Sequence, residues 1–238
     1  MKFPYFIYKE HSSLEYGLYI TEKGSYYGAS REVSFMSVPG RDGDLMTDNG
    51  HYNNIVIPYK TVLVNRVYDF TELSRLIKGW LLAESGYFKL WDTYDPLYFR
   101  YAAFTGEANL ERDSRDTGSL SLSFTCKPYK YALRGQETVT FTEPGSLYNA
   151  ELFASKPYIK ITGSGTVTLT VNAVSFLITG IEDYIEIDSE IMNAYKGAAQ
   201  KNSSMTGAAF PSFAPGDNVI GWTGNVSRVD IIPRWCSL

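Results

Sequence analysis

The chain has 238 residues, 44% of them apolar and 20% charged, and its 22 basic and 26 acidic side chains leave a net charge of −4. That apolar share excludes long disordered stretches, and mixed charge signs with no basic stripe exclude nucleic acid as a main partner, since a phosphate backbone would release few counterions here. No apolar run reaches the roughly 18 residues of a membrane span. The start, Met1-Lys2-Phe3-Pro4-Tyr5-Phe6-Ile7-Tyr8-Lys9, is too short and too interrupted for a signal-peptide core, so a soluble, non-secreted protein is expected.

Aromatic residues are abundant, with 19 Tyr, 13 Phe and 4 Trp. Tyrosine suits half-buried strands because its body is apolar and its tip polar, and it is enriched where protein surfaces meet. Composition therefore leans towards β structure and subunit contacts.

In chain order, Arg31–Ser37 alternates, with Val33 and Phe35 on one face. Asn54–Val64 is rich in β-branched residues, and Pro58 within it predicts an edge strand or a bulge. One helix is predicted over Phe70–Ala83, where Phe70, Leu73, Leu76, Ile77, Trp80 and Leu81 form an apolar stripe at three- and four-residue spacing. Asp69 is its N-cap, Glu72 stands where a capping box places an acid, and Ser85-Gly86 ends it. Tyr87–Trp91 and Leu97–Tyr101 flank a turn at Asp95-Pro96. Ser119–Lys127 is the clearest strand: Leu120, Leu122, Phe124 and Cys126 share one face, and Ser119, Ser121, Ser123 and Thr125 the other.

Beyond Pro128-Tyr129-Lys130-Tyr131 no comparable helix occurs. Short strands are predicted over Thr138–Thr142, Tyr158–Thr162, Thr166–Val171, Ser175–Thr179, Tyr184–Asp188, Asn218–Trp222 and Arg228–Ile232. Gly163-Ser164-Gly165 is read as a hairpin turn, since glycine accepts positive φ without steric cost. The small, polar stretch Lys196–Ala214 is read as a surface loop. The expected architecture is mainly β: a barrel-like domain with one amphipathic helix over residues 1–131, then a β-sandwich or jelly roll over 132–238.

Signals for chemistry are sparse. His11 and His51 stand apart from each other and from Cys126 and Cys236, so no zinc spacing forms, and the two cysteines make no disulfide framework. Asp42-Gly43-Asp44-Leu45-Met46-Thr47-Asp48 has the outline of a calcium loop, but Met46 falls where an oxygen ligand belongs and the closing Glu is missing. Asp92 with Asp95, or Glu107 with Glu111, would be the carboxylate pair if the chain were a glycosidase. Trp222 and Trp235 would be the stacking residues if the second half were a carbohydrate module, against the ordinary expectation that a strand Trp packs inside. No catalytic residue, cofactor or metal is assigned. The glycine-rich charged turn at Arg41, Asp42 and Asp44 is a candidate contact with a neighbouring subunit.

An ordered set of segments resembles the distal tail protein family of long-tailed, non-contractile phages. It comprises Pro39-Gly40-Arg41-Asp42-Gly43-Asp44-Leu45, the helix ending at Trp80-Leu81, Asp95-Pro96 with its aromatic strands, and Ser123-Phe124-Thr125-Cys126-Lys127-Pro128-Tyr129-Lys130-Tyr131. Tyr184-Ile185-Glu186-Ile187-Asp188-Ser189-Glu190 and Gly216-Asp217-Asn218-Val219-Ile220-Gly221-Trp222 complete the set. The resemblance implies a first domain that closes a hexameric ring around the tail channel and a second, galectin-like or carbohydrate-module-like domain projecting outward. It implies a place in the virion tail tip after assembly in the bacterial cytoplasm, joining the tail tube protein to tail-tip or baseplate proteins. Receptor-binding and tape-measure proteins are further implied neighbours. Family versions with an extra carbohydrate module carry a long insertion in the second half, for which residues 132–238 leave no room.

Overall fold

The computed structural model describes residues 3–23, 28–64 and 69–238. Met1 and Lys2, part of the N-terminal segment read above, lie outside them. The chain forms two compact units, Met1–Lys130 with Leu238, and Tyr131–Ser237.

Strands β1 (Phe6–Tyr8), β2 (His11–Ser12) and β3 (Leu18–Lys23) open the first unit. A hairpin of β4 (Arg31–Met36) and β5 (Leu45–Tyr52) follows, then β6 (Ile55–Val64), helix α1 (Phe70–Leu82), β7 (Phe88–Asp92), β8 (Tyr98–Phe104), β9 (Leu110–Arg112) and β10 (Thr117–Ala132). The main sheet runs β2-β1-β7-β8-β10-β6-β3, with β9 also on β10, while β4 and β5 form a two-stranded sheet of their own. The main sheet curls so that its ends approach: the Pro4 carbonyl, just before β1, accepts from the Ile20 N–H of β3 at 2.9 Å. This is the barrel-like form the pattern predicts.

Helix α1 starts where Asp69 accepts from the Thr71 N–H at 3.0 Å, leaving Glu72 beside Arg75 at 3.8 Å. Its stripe buries Leu73, Ile77, Trp80 and Leu81 against the sheet. Phe6 stacks between Tyr59 and Trp80, at 5.4 and 5.6 Å between ring centres, and the Trp80 indole donates to the Tyr8 carbonyl at 3.0 Å. β10 supplies Leu120, Leu122, Phe124 and Cys126 to the same core, as its alternation predicts. Full burial of a large aliphatic or aromatic side chain stabilises by about 1.5–3 kcal/mol, so these two elements form the main hydrophobic seam. Pro58 is a correction. β6 is an interior strand between β10 and β3, and the bulge lies in β3, between Ile20 and Glu22. Pairing with β3 is described only as far as Lys23 opposite Tyr59, so the donor missing at Pro58 interrupts no described β3 rung.

The second unit contains β11 (Val139–Phe141), β12 (Gly145–Asn149), β13 (Tyr158–Val171), β14 (Val174–Ile181), β15 (Tyr184–Asp188) and β16 (Asn193–Lys196). The short β17 (Ala199–Gln200) and β18 (Met205–Thr206), the long β19 (Gly216–Ile232) and β20 (Cys236–Ser237) complete the chain. β13 and β19 pair along their length, but their outer neighbours change: β15 and β11 flank one half, β14 and β12 the other. The four strands expected over Tyr158–Thr162, Thr166–Val171, Asn218–Trp222 and Arg228–Ile232 are therefore two long ones.

Gly163-Ser164-Gly165 is accordingly no hairpin turn. It is a bulged corner inside β13, where the register with β19 shifts. A Cβ on Gly163 would lie 2.2 Å from the Asn225 carbonyl, and Gly224 opposite holds φ +104°. The glycines serve close strand approach. The expected loop Lys196–Ala214 also needs amendment, since β17, β18 and a 3-10 turn at Asn202–Ser204 lie within it.

Candidate assembly interface

The β4–β5 hairpin has a stiff base. Arg31 donates to Asp48 at 2.5 Å and its guanidinium lies 4.7 Å over the Tyr52 ring, which meets Tyr129 edge-on at 5.8 Å. The Gly50 N–H and then Arg31 hold the Asp48 carboxyl below its usual range, and Asp48 in turn raises Arg31. Gly40 and Gly43, at φ +77° and +79°, shape the connecting loop.

Towards the tip the hairpin has no core of its own. Phe35 pairs with Met46 and Met36 with Leu45, and these side chains are 63%, 56%, 59% and 40% exposed. Because adjacent rungs point to opposite faces, both faces of the tip present large apolar groups. Seven of the eight β5 residues are exposed. Clustered apolar groups at the end of this ribbon make it a candidate docking surface.

Arg41, Asp42 and Asp44 all lie exposed in the loop joining β4 to β5. The structure therefore brings the three candidate contact residues together with Phe35, Met36, Leu45 and Met46, which sequence reasoning missed. The would-be calcium segment is the tip loop and the first half of β5, with Asp48 committed to Arg31 and Gly50.

Three of the four carboxylates weighed as catalytic pairs have other partners. A cavity of about 200 Å³ in the first unit is lined by Lys23, Tyr59, Asp92, Asp95, Arg100 and Lys130, among others. Asp92 accepts from Lys23 at 2.7 Å, from the Tyr59 hydroxyl at 2.5 Å, and from the N–H groups of Tyr94 and Asp95. Asp95 is paired to Lys130 at 2.9 Å. Glu107 and Glu111 are exposed along an open groove, where Glu107 accepts from Asn109 at 2.6 Å. His11 contacts Glu15 at 2.9 Å and His51 the Asn49 carbonyl at 3.3 Å; among the described residues no three His, Cys, Asp or Glu side chains converge on a metal-sized site.

In the second unit Trp235 is buried against Phe213, and Trp222 shares a rung with buried Leu169. Trp222 thus faces the core side of β19, and Trp235 packs inward from the segment between β19 and β20. The Tyr184 ring is covered by the ammonium groups of Lys160 at 4.3 Å and Lys196 at 5.4 Å. Trp235, being buried, is closed to a sugar, while Trp222 is half-buried. Among the described residues no helix is long and apolar enough to cross a membrane.

No family model matches the chain, and no curated protein matches it either. The fold, a curled antiparallel β unit with one helix followed by a second all-β unit, is similar to that of a solved phage hub protein. The structure is similar to that of SPP1 Dit (gp 19.1), a paradigm of the hub adsorption apparatus in Gram-positive infecting phages. The match has a TM-score of 0.73 at 15% identity and covers 100% of both chains. At that identity the likeness establishes a shared fold.

Proposed function

We propose that this chain is a non-enzymatic structural protein of the tail tip of a long, non-contractile phage, where copies form a ring joining the tail tube to the adsorption apparatus. The observation that carries this reading is the fold likeness to a phage hub protein over 100% of both chains. The exposed β4–β5 tip supports it, because a ribbon apolar on both faces needs neighbours. Ring formation belongs to the first unit, residues 1–131, and docking of outer proteins to the second, 132–238. The closed ring is a hexamer, with Arg41, Asp42 and Asp44 at the subunit contact. The tail tube protein and tail-tip proteins are its neighbours, with receptor-binding and tape-measure proteins nearby, and the ring is assembled in the host cytoplasm before entering the virion.

Catalysis has no part in this reading, since Asp92 and Asp95 are each tied to a lysine. The test is the solution mass by light scattering across a concentration series. A mass of six copies, or a concentration-dependent rise towards it, is expected. A strict monomer at every concentration, with no association on purified tail tubes, overturns the ring.

A further inference from the structure

Beside α1 lies an open groove of about 500 Å³, lined by Phe70, Ser74, Arg75, Lys78, Leu110 and Arg112 and, at the helix start, Thr71. Its cations are held outward. Arg112 lies 5.3 Å over the Phe70 ring while its Nε donates to the Ser114 carbonyl at 2.9 Å. Arg75 reaches Glu72 only at 3.8 Å with both side chains largely exposed, and Lys78 is exposed on the same helix. The groove thus combines three positive charges with the apolar Phe70 and Leu110.

The β4–β5 tip is its complement in both respects. Its two aspartates outnumber its one cation, Arg41: Asp42 and Asp44, which have no ion-pair partner among the described residues, stand next to exposed Phe35, Leu45 and Met46. We infer that the β4–β5 tip of one copy seats in the α1–β9 groove of the next copy, its aspartates against Arg75, Lys78 and Arg112 and its apolar side chains against Phe70 and Leu110. The two patches differ, so the contact is heterologous, the kind that generates a ring when the rotation closes. Opposed charges fix the orientation of the tip in the groove. This assignment rests on the ring proposed above and names its contact.

The test introduces Asp44→Cys and Lys78→Cys into one chain, where the native thiols of Cys126 and Cys236 are buried. Oxidation at a concentration where the wild type is oligomeric should give a non-reducing ladder of linked copies up to the closed ring. Either single variant should give no more than dimers. In parallel, Lys78→Glu with Arg112→Glu should raise the concentration for half-assembly by at least about tenfold, and adding Asp42→Lys with Asp44→Lys should recover most of it. If the wild type is oligomeric but gives no ladder and ignores charge reversal, this contact is wrong and the ring stands on another. If linked species are confined to monomers bridged within one chain, the groove holds its own tip and the inference falls. A wild type that never assembles removes the ring, and this contact with it.

Discussion

Arg234 holds Asp188 through two parallel hydrogen bonds, Nη1 to Oδ1 at 2.7 Å and Nη2 to Oδ2 at 2.8 Å, with Glu190 adding a second carboxylate at 3.7 Å. Burial pushes the Asp188 carboxyl up, but the guanidinium and the N–H groups of Glu190 and Ile191 outweigh it and leave the group below its usual value. A carboxylate depressed in the folded state stabilises above its unfolded pKa, about 3.9, and that contribution is lost as pH falls through the folded value. Urea midpoints measured from pH 7 down to pH 3 should therefore fall more steeply in the wild type than in Asp188→Asn. Arg234→Met, which strands the buried carboxylate, should cost about 3–5 kcal/mol at pH 7; an unchanged midpoint would show the pair to be dispensable.

Tyr59 responds at the other end of the pH scale. Its hydroxyl is buried beside Asp92, and desolvation followed by the Asp92 charge raises its pKa well above the usual 10. A group raised in the folded state stabilises fully below its unfolded pKa, and the contribution disappears as pH climbs through the folded one. Absorbance at the phenolate band should show Tyr59 silent at pH 11 in folded protein, by comparison with Tyr59→Phe, and titrating once urea is added. Tyr59→Phe itself should cost about 1–3 kcal/mol, the penalty for removing one donor from a buried carboxylate.

At the β13–β19 corner the glycines separate by what surrounds them. A Cβ at Gly224 would sit 2.5 Å from the Thr166 carbonyl at φ +104°, and one at Gly163 2.2 Å from the Asn225 carbonyl, while Gly165 at φ +78° faces open space. Gly163→Ala and Gly224→Ala should each destabilise by more than about 2 kcal/mol, whereas Gly165→Ala should cost only the left-handed backbone penalty of about 1 kcal/mol. Equal thermal shifts for all three would contradict the close strand approach.

Both thiols are inaccessible. Burial pushes Cys126 and Cys236 up to about 12 each, and it is the thiolate that attacks. Native protein at pH 8 should take up no aromatic disulfide reagent over hours, and two equivalents after unfolding. Rapid native labelling of either residue would mean that its unit opens locally.

Helix α1 and β10 were legible because each has one buried face, and burial is what writes periodicity into sequence. The β4–β5 hairpin was only half visible. Val33 and Phe35 marked β4, but β5 has no buried residue, so its first half, Leu45–Asp48, read only as part of the Asp42–Asp48 loop. The Arg41, Asp42 and Asp44 turn could be singled out from its glycines, whereas the basic groove could not, because Arg75 and Lys78 on α1 meet Arg112 only through folding. Pro58 and Gly163-Ser164-Gly165 misled for one shared reason. Each is an ordinary punctuation mark by composition, and only the neighbouring strands show whether it marks an edge, a bulge, a turn or none of these.

The hairpin also bears on handling the isolated protein. Two strands forming a sheet by themselves leave their outer backbone edges unsaturated, and both faces near the tip carry large apolar side chains. Such a ribbon invites intermolecular strand addition. Preparations kept concentrated without their natural neighbours should drift towards insoluble material from this one element, and trimming residues 35–46 to a short polar turn should yield a long-lived monomer.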